Sequence, residues 1–132
     1  MSTVTITEST FESTIAENDI VLYDFWAEWC GPCRQFAPVF EKASEKHEDI
    51  VFGKIDTEAE QNLAAMLQIT SIPTLMAFRE GVPLLMQPGA LPPAALEDLI
   101  TQIQGLDMET VKKEYAEQLA AAQAEANAPE KS

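Results

Sequence analysis

The sequence predicts an α/β fold, a central mixed sheet of about five strands flanked by about four helices, with a helical extension at the C-terminal end. Three observations carry that expectation. Ile20–Trp26 and Ile50–Asp56 are near-continuous apolar runs, the pattern of parallel strands covered on both faces. The first run leads into a turn and then a stretch of helical periodicity, which makes strand, helix, strand. Two further runs, Thr74–Arg79 and residues 82–87, are separated only by Glu80-Gly81, a link short enough to require an antiparallel hairpin.

Each element has its own cause. Residues 3–7, rich in threonine, read as an edge strand, and Phe11 with Ile15 marks a short first helix. After Cys33, the residues Phe36, Val39, Phe40 and Ala43 recur at helical spacing, with Pro38 expected to bend that helix. Thr57-Glu58-Ala59-Glu60 has the form of a capping box and predicts a helix from there through Leu67. The Pro92-Pro93 pair opens a last core helix that presents Leu96, Leu99, Ile100 and Ile103 on one face and ends near Gly105. Beyond Gly105 the composition turns to alanine and glutamate. Asp107 is placed to cap a helix whose apolar stripe is Met108, Val111, Tyr115, Leu119 and Ala122, and the last residues, Asn127 to Ser132, read as disordered. The expected division is therefore 1–106 for the main domain and 107–132 for the extension. Sequence leaves open whether the stripe packs on its own domain, on a second copy or on a partner.

At 132 residues and 46% apolar, the chain can bury a core without covalent staples or a metal. Its 22 acidic against 8 basic side chains give a net charge of −14, which disfavours nucleic acid as a partner. No apolar run is long enough to span a membrane. The first ten residues have neither a basic start nor an apolar stretch, so no secretory signal is read and a cytoplasmic location is expected. In a reducing compartment an isolated cysteine pair is more often catalytic or metal-binding than structural. Met66, Met76 and Met86 are expected to be core or gap-filling residues, and His47, the only histidine, to lie on the surface.

The two cysteines are the centre of the functional reading. Trp29-Cys30-Gly31-Pro32-Cys33 puts two thiols about one helical turn apart, just after a buried strand. Such a pair can close and reopen a disulfide. Cys30 would sit at the helix mouth, where unpaired N–H groups and the helix dipole favour an anion, and so is expected to be the nucleophile. Cys33, one turn deeper and less exposed, is expected to resolve the mixed disulfide. Gly31 permits close approach of a substrate backbone, and Pro32 sets φ at a position where its missing N–H costs little. Asp24 is a carboxylate inside an apolar strand, on the face of Leu22 and Trp26, and burial should raise its pKa. Zinc at Cys30 and Cys33 would need two further ligands, and no second cysteine pair or histidine cluster exists.

Asp24 to Cys33, Asp24-Phe-Trp-Ala-Glu-Trp-Cys-Gly-Pro-Cys33, resembles the active-site stretch of the thioredoxin family, and Ser71-Ile72-Pro73-Thr74 resembles its second signature. Gly81 and Gly89-Ala90 also fit, and the resemblance spans roughly residues 3 to 105. It implies the thioredoxin fold and a protein-disulfide reductase acting by reversible dithiol/disulfide exchange at Cys30 and Cys33. It further implies Asp24 as general base for Cys33 with Lys54 as its charge partner, Gly31 and Pro32 as redox-tuning residues, and a cis peptide at Pro73. Ile72 and Pro73 would bind an extended substrate segment, with Trp29 and Ile72 as an apolar collar around the reactive sulfur and Trp26 as packing beneath it. No cofactor would be bound by the chain itself. NADPH and FAD would act only through a partner, thioredoxin reductase, and disulfide-containing proteins would be the substrates of a monomer. An oxidase or isomerase of the same fold is opposed by the Gly-Pro dipeptide. From a different class, a binding or chaperone-like module is motivated by the extension.

Overall fold

The computed structural model describes residues 3–127. Its elements are β1 (Thr3–Thr5), α1 (Glu8–Glu17), β2 (Ile20–Trp26), α2 (Gly31–Lys46), β3 (Ile50–Asp56), α3 (Gln61–Met66), β4 (Thr74–Arg79), β5 (Val82–Pro88), α4 (Pro93–Gln104) and α5 (Met108–Ala126). The five strands form one sheet in the order β1-β3-β2-β4-β5, with β1, β3 and β2 mutually parallel and β4 and β5 antiparallel. The mixed sheet follows the sequence expectation, and β1 is the edge strand.

The central place of β2 follows from its two apolar faces. Ile20 and Leu22 join a core with Phe36 and Phe40 of α2, Phe52, and Leu96 and Ile100 of α4. Val21, Tyr23 and Phe25 point the other way, into a second core with Ile6, Phe11, Leu63 and Phe78. Alternation along one strand thus builds both layers of the sandwich. The Tyr23 hydroxyl donates to the Phe11 carbonyl at 2.8 Å, so the only polar side-chain atom in that aromatic cluster is satisfied. Gly53 sits where β3 passes Ile6 and Tyr23, and a Cβ there would lie 2.6 Å from Ile6 Cγ1 and 2.7 Å from Tyr23 Cδ1.

Glu80 and Gly81 both take positive φ, 51° and 82°, the geometry of the tight hairpin turn that their spacing required. Pro38 lies inside α2, which runs on through Lys46. Two local expectations are corrected. The residues Thr57 to Glu60 form no capping box, and α3 starts only at Gln61. The Thr57 hydroxyl instead donates to the Trp26 carbonyl at 3.1 Å, and the Asp56 carboxylate takes the Glu58 N–H at 2.9 Å. Met66 and Met86 are exposed rather than core, because α3 is one turn and a half long and β5 is the other sheet edge. His47 is only partly exposed, with Nε2 2.7 Å from Glu97 Oε2, which ties the end of α2 to α4.

The extension does form a helix, and the Asp107 carboxylate caps it by accepting from the Thr110 N–H. Arg79 holds the end of α4 and the linker after it by donating to the carbonyls of Ile103, Gln104 and Leu106. Lys112 pairs with Glu80 at the hairpin turn. Of the stripe, Met108 is buried, Val111 and Tyr115 are half-buried, and Leu119 is exposed, so only the first turns of α5 pack on the domain. The disorder expected at the very end concerns Asn127 and the residues after it; residues 128–132 lie outside the described chain.

Candidate active site

The carboxyl ends of β2 and β3, the start of α2 and the loop before β4 meet at one end of the sheet. Cys30 is the N-cap of α2 and Cys33 lies in its first turn, joined to it by a disulfide with Cα atoms 5.2 Å apart. Pro32 stands among the first helical positions, where its missing N–H leaves no bond unmade. The Cys33 N–H donates to Cys30 Sγ at 3.2 Å, so the helix end directs a donor at that sulfur. Space around Gly31 is open, and a Cβ built there would meet no atom within 4 Å.

The expected difference in exposure between the two cysteines is not found. Both are 4% exposed, in a small cluster with Ala27 that Trp26 and Ile72 cover from the sides. Cys30 lies against the loop before β4, with Sγ 3.6 Å from the Ile72 carbonyl oxygen. The Ile72-Pro73 peptide is cis, and the Pro73 carbonyl accepts from the Gly89 N–H at 2.8 Å. Beside it a groove of about 390 Å³ is lined by Trp29, Thr57, Ile69, Thr70, Ser71 and Ile72. Trp29, at the edge of the groove, is 66% exposed.

Behind the cysteines, the register sets Asp24 directly opposite Lys54 on β3 and Leu75 on β4. Asp24 is 1% exposed, and neither carboxylate oxygen has a hydrogen-bond partner among the described residues. Burial pushes its pKa up to about 7 from 3.8, with the Lys54 charge opposing. The Lys54 ammonium stands 5.2 Å over the Trp26 ring, a cation–π contact that places the amine between strand and cleft. That cleft, about 160 Å³, is lined by Trp26, Ala27, Cys33, Arg34, Ala37 and Lys54 among others. Its volume is enough for several waters beside the Cys33 sulfur.

Two contacts here had no signal in the sequence. The Trp29 indole N–H donates to Glu58 Oε1 at 2.7 Å, fixing the exposed ring at the groove edge. Arg34 donates from Nε and Nη2 to the Glu28 carbonyl, at 3.2 and 2.9 Å. Glu58 is separated from its partner by 29 residues, and Glu28 contributes only its backbone, so neither spacing nor residue type could have revealed them.

A redox pair of this shape, on a helix end facing a cis-proline loop, matches a known family model, Thioredoxin, over residues 2–102. The chain belongs to the thioredoxin family. It is 58% identical over 121 residues to "Putative thioredoxin 2" of Streptomyces coelicolor, covering 92% of this chain and 90% of that one. A match of that length runs past residue 106 into α5. Thioredoxin of Porphyra purpurea is 40% identical over 104 residues, or 77% of this chain and 97% of its own. Among solved structures, a mutant thioredoxin from Halobacterium salinarum superposes with a TM-score of 0.72 at 34% identity, over 79% of this chain and 91% of that one. Thioredoxin of Plasmodium falciparum gives 0.69 at 34% identity, over 76% and 97%.

Thioredoxin-family proteins catalyse thiol-disulfide exchange, and the Cys30–Cys33 disulfide is the redox-active pair of this one. That chemistry is carried by the two sulfurs and needs no bound cofactor. Among the described residues no group of three or more histidine, cysteine or acidic side chains is arranged to hold a metal, and no helix is long and apolar enough to cross a membrane.

Proposed function

We propose that the chain is a general reductase of protein disulfides, with residues 1–106 as the catalytic unit and 107–132 as an accessory extension. The observation that carries this is the disulfide itself, seated at the N-terminus of α2 against an apolar groove. In the reduced state the Cys30 thiolate, favoured by the helix end, attacks one sulfur of a substrate disulfide. That S–S bond breaks, the departing sulfur takes a proton, and a mixed disulfide joins Cys30 to the substrate. Cys33 then loses its proton to Asp24 through water in the adjoining cleft and attacks Cys30 Sγ. The second substrate thiolate leaves, and the Cys30–Cys33 bond of the structure forms. Two electrons have passed to the substrate.

Asp24 suits the role of base because a carboxylate with a pKa of about 7 both accepts and returns a proton near neutrality. Lys54, held on Trp26, keeps a positive charge near it without neutralising it by direct contact. The backbone of Ile72 and Pro73 would pair with an extended substrate segment lying in the groove, while Trp29 and Ile72 exclude water from the exchanging sulfurs. Gly31 and Pro32 tune the pair towards reduction, by leaving the approach open and the helix start rigid.

Recycling would come from thioredoxin reductase, drawing electrons from NADPH through its FAD, so both cofactors belong to that partner. The net charge of −14 supports a monomer, and a chain whose only cysteines are the redox pair supports action in the cytoplasm. The test is reduction of insulin by dithiothreitol, followed as turbidity, with wild type, Cys30→Ser and a blank. Acceleration by wild type alone supports the reading. A wild-type rate equal to the blank refutes it.

A further inference from the structure

Two side chains of α2 reach back to the turn that carries the nucleophile. One attachment is the Cys30–Cys33 disulfide, which exists in only half of the catalytic cycle. The other is Arg34, in the first turns of the same helix, whose guanidinium donates two N–H groups to the Glu28 carbonyl two residues before Cys30. The remaining links across this junction are the Cys33 N–H to Cys30 Sγ, the Arg34 N–H to the Cys30 carbonyl and the Cys30 N–H to the Ala27 carbonyl. From these placements we propose that Arg34 is a positioning residue, a redox-independent staple that keeps the turn closed on α2 when the disulfide opens, and so keeps the two sulfurs within reach of each other.

A fork of two donors on one carbonyl fixes direction as well as distance, which a lysine with its single mobile ammonium does not reproduce. The consequence is thermodynamic. In the oxidised form the disulfide holds the turn whether or not Arg34 is present. In the reduced form, loss of the fork lets the Glu28–Trp29–Cys30 segment open and gain freedom, which lowers the effective concentration of one thiol at the other. Closing the disulfide then becomes less favourable, and the protein becomes a weaker reductant. Loss of the Arg34 charge alone acts in the opposite sense, because a less stabilised thiolate makes the reduced form less favourable.

The staple presupposes the dithiol exchange proposed above. The experiment is equilibration of wild type, Arg34→Lys and Arg34→Met with glutathione disulfide and glutathione, in which the protein dithiol gives up two electrons and two protons to form its disulfide and two glutathione thiols. Thermal midpoints of each form are measured alongside. The expected result is an equilibrium constant for disulfide formation about threefold lower in Arg34→Lys, which keeps the charge but loses the fork. An Arg34→Lys constant equal to wild type overturns the staple, whether or not Arg34→Met differs, and so does a fall in thermal midpoints with the constant unchanged. Failure of wild type to reach a reversible equilibrium refutes the dithiol reading instead, so the two failures are distinct.

Discussion

Replacing Asp24 by asparagine tests the electrostatics of the site with a magnitude that the structure supplies. The carboxyl is 1% exposed and titrates near 7 rather than at 3.8 because burial penalises its charged form. At about 1.4 kcal/mol per pH unit, its ionisation costs the native state on the order of 4 kcal/mol at pH 8. The sign is the reverse of an ordinary ion-paired carboxylate. Between pH 3.8 and 7 the native state holds a proton that the unfolded chain has released, so stability falls as pH rises through that window and levels off above it. Asparagine removes the charge but brings an unpartnered amide, costing about 1–3 kcal/mol. The oxidised Asp24→Asn variant is therefore expected to exceed wild type by about 1–3 kcal/mol at pH 8 in urea unfolding, and to lose that advantage by pH 4. The same variant is expected to slow insulin reduction if Asp24 takes the Cys33 proton as proposed. A stability difference between the two proteins that is the same at pH 4, 6 and 8 refutes the argument, for then desolvation of this carboxyl does not govern its titration.

Cys33→Ser leaves the nucleophile without its resolving partner, so it should accumulate a covalent mixed disulfide with a disulfide substrate, visible by intact mass; free substrate thiol with no adduct would count against the assignment of roles. Gly53→Ala puts a methyl 2.6 Å from Ile6 Cγ1 and 2.7 Å from the Tyr23 ring, so it should cost about 1–3 kcal/mol in denaturant unfolding, and a neutral outcome would mean that the Ile6 and Tyr23 side chains give way freely. Deleting residues 107–132 uncovers the site of Met108 and breaks the Lys112–Glu80 pair, which should lower the thermal midpoint while insulin reduction stays within about twofold of wild type. A collapse in rate would instead make α5 part of the catalytic unit.

Apolar patterning and residue type were enough to establish the mixed sheet, its covering helices and the location of the chemistry. Alternation of apolar residues along Ile20–Trp26 sends side chains to both faces, which only a central strand can bury, and the Glu80-Gly81 spacing admits only a tight hairpin. Cys30, Cys33 and Asp24 were legible because residue type and local period alone make them unusual. Thr57 misleads for the converse reason. Its hydroxyl has a choice between a local helix end and the Trp26 carbonyl on the neighbouring strand, and the nonlocal acceptor wins. Folding in three dimensions was needed to make the oxidised cysteines equally buried, to set Glu58 on the Trp29 indole and Lys54 on the Trp26 ring, and to bring Arg34 to the Glu28 carbonyl. It also decided that α5 docks by Met108 and leaves Leu119 exposed. Most of these contacts bring together residues distant in sequence or use a backbone atom that every residue carries, and neither leaves a periodic trace in the chain.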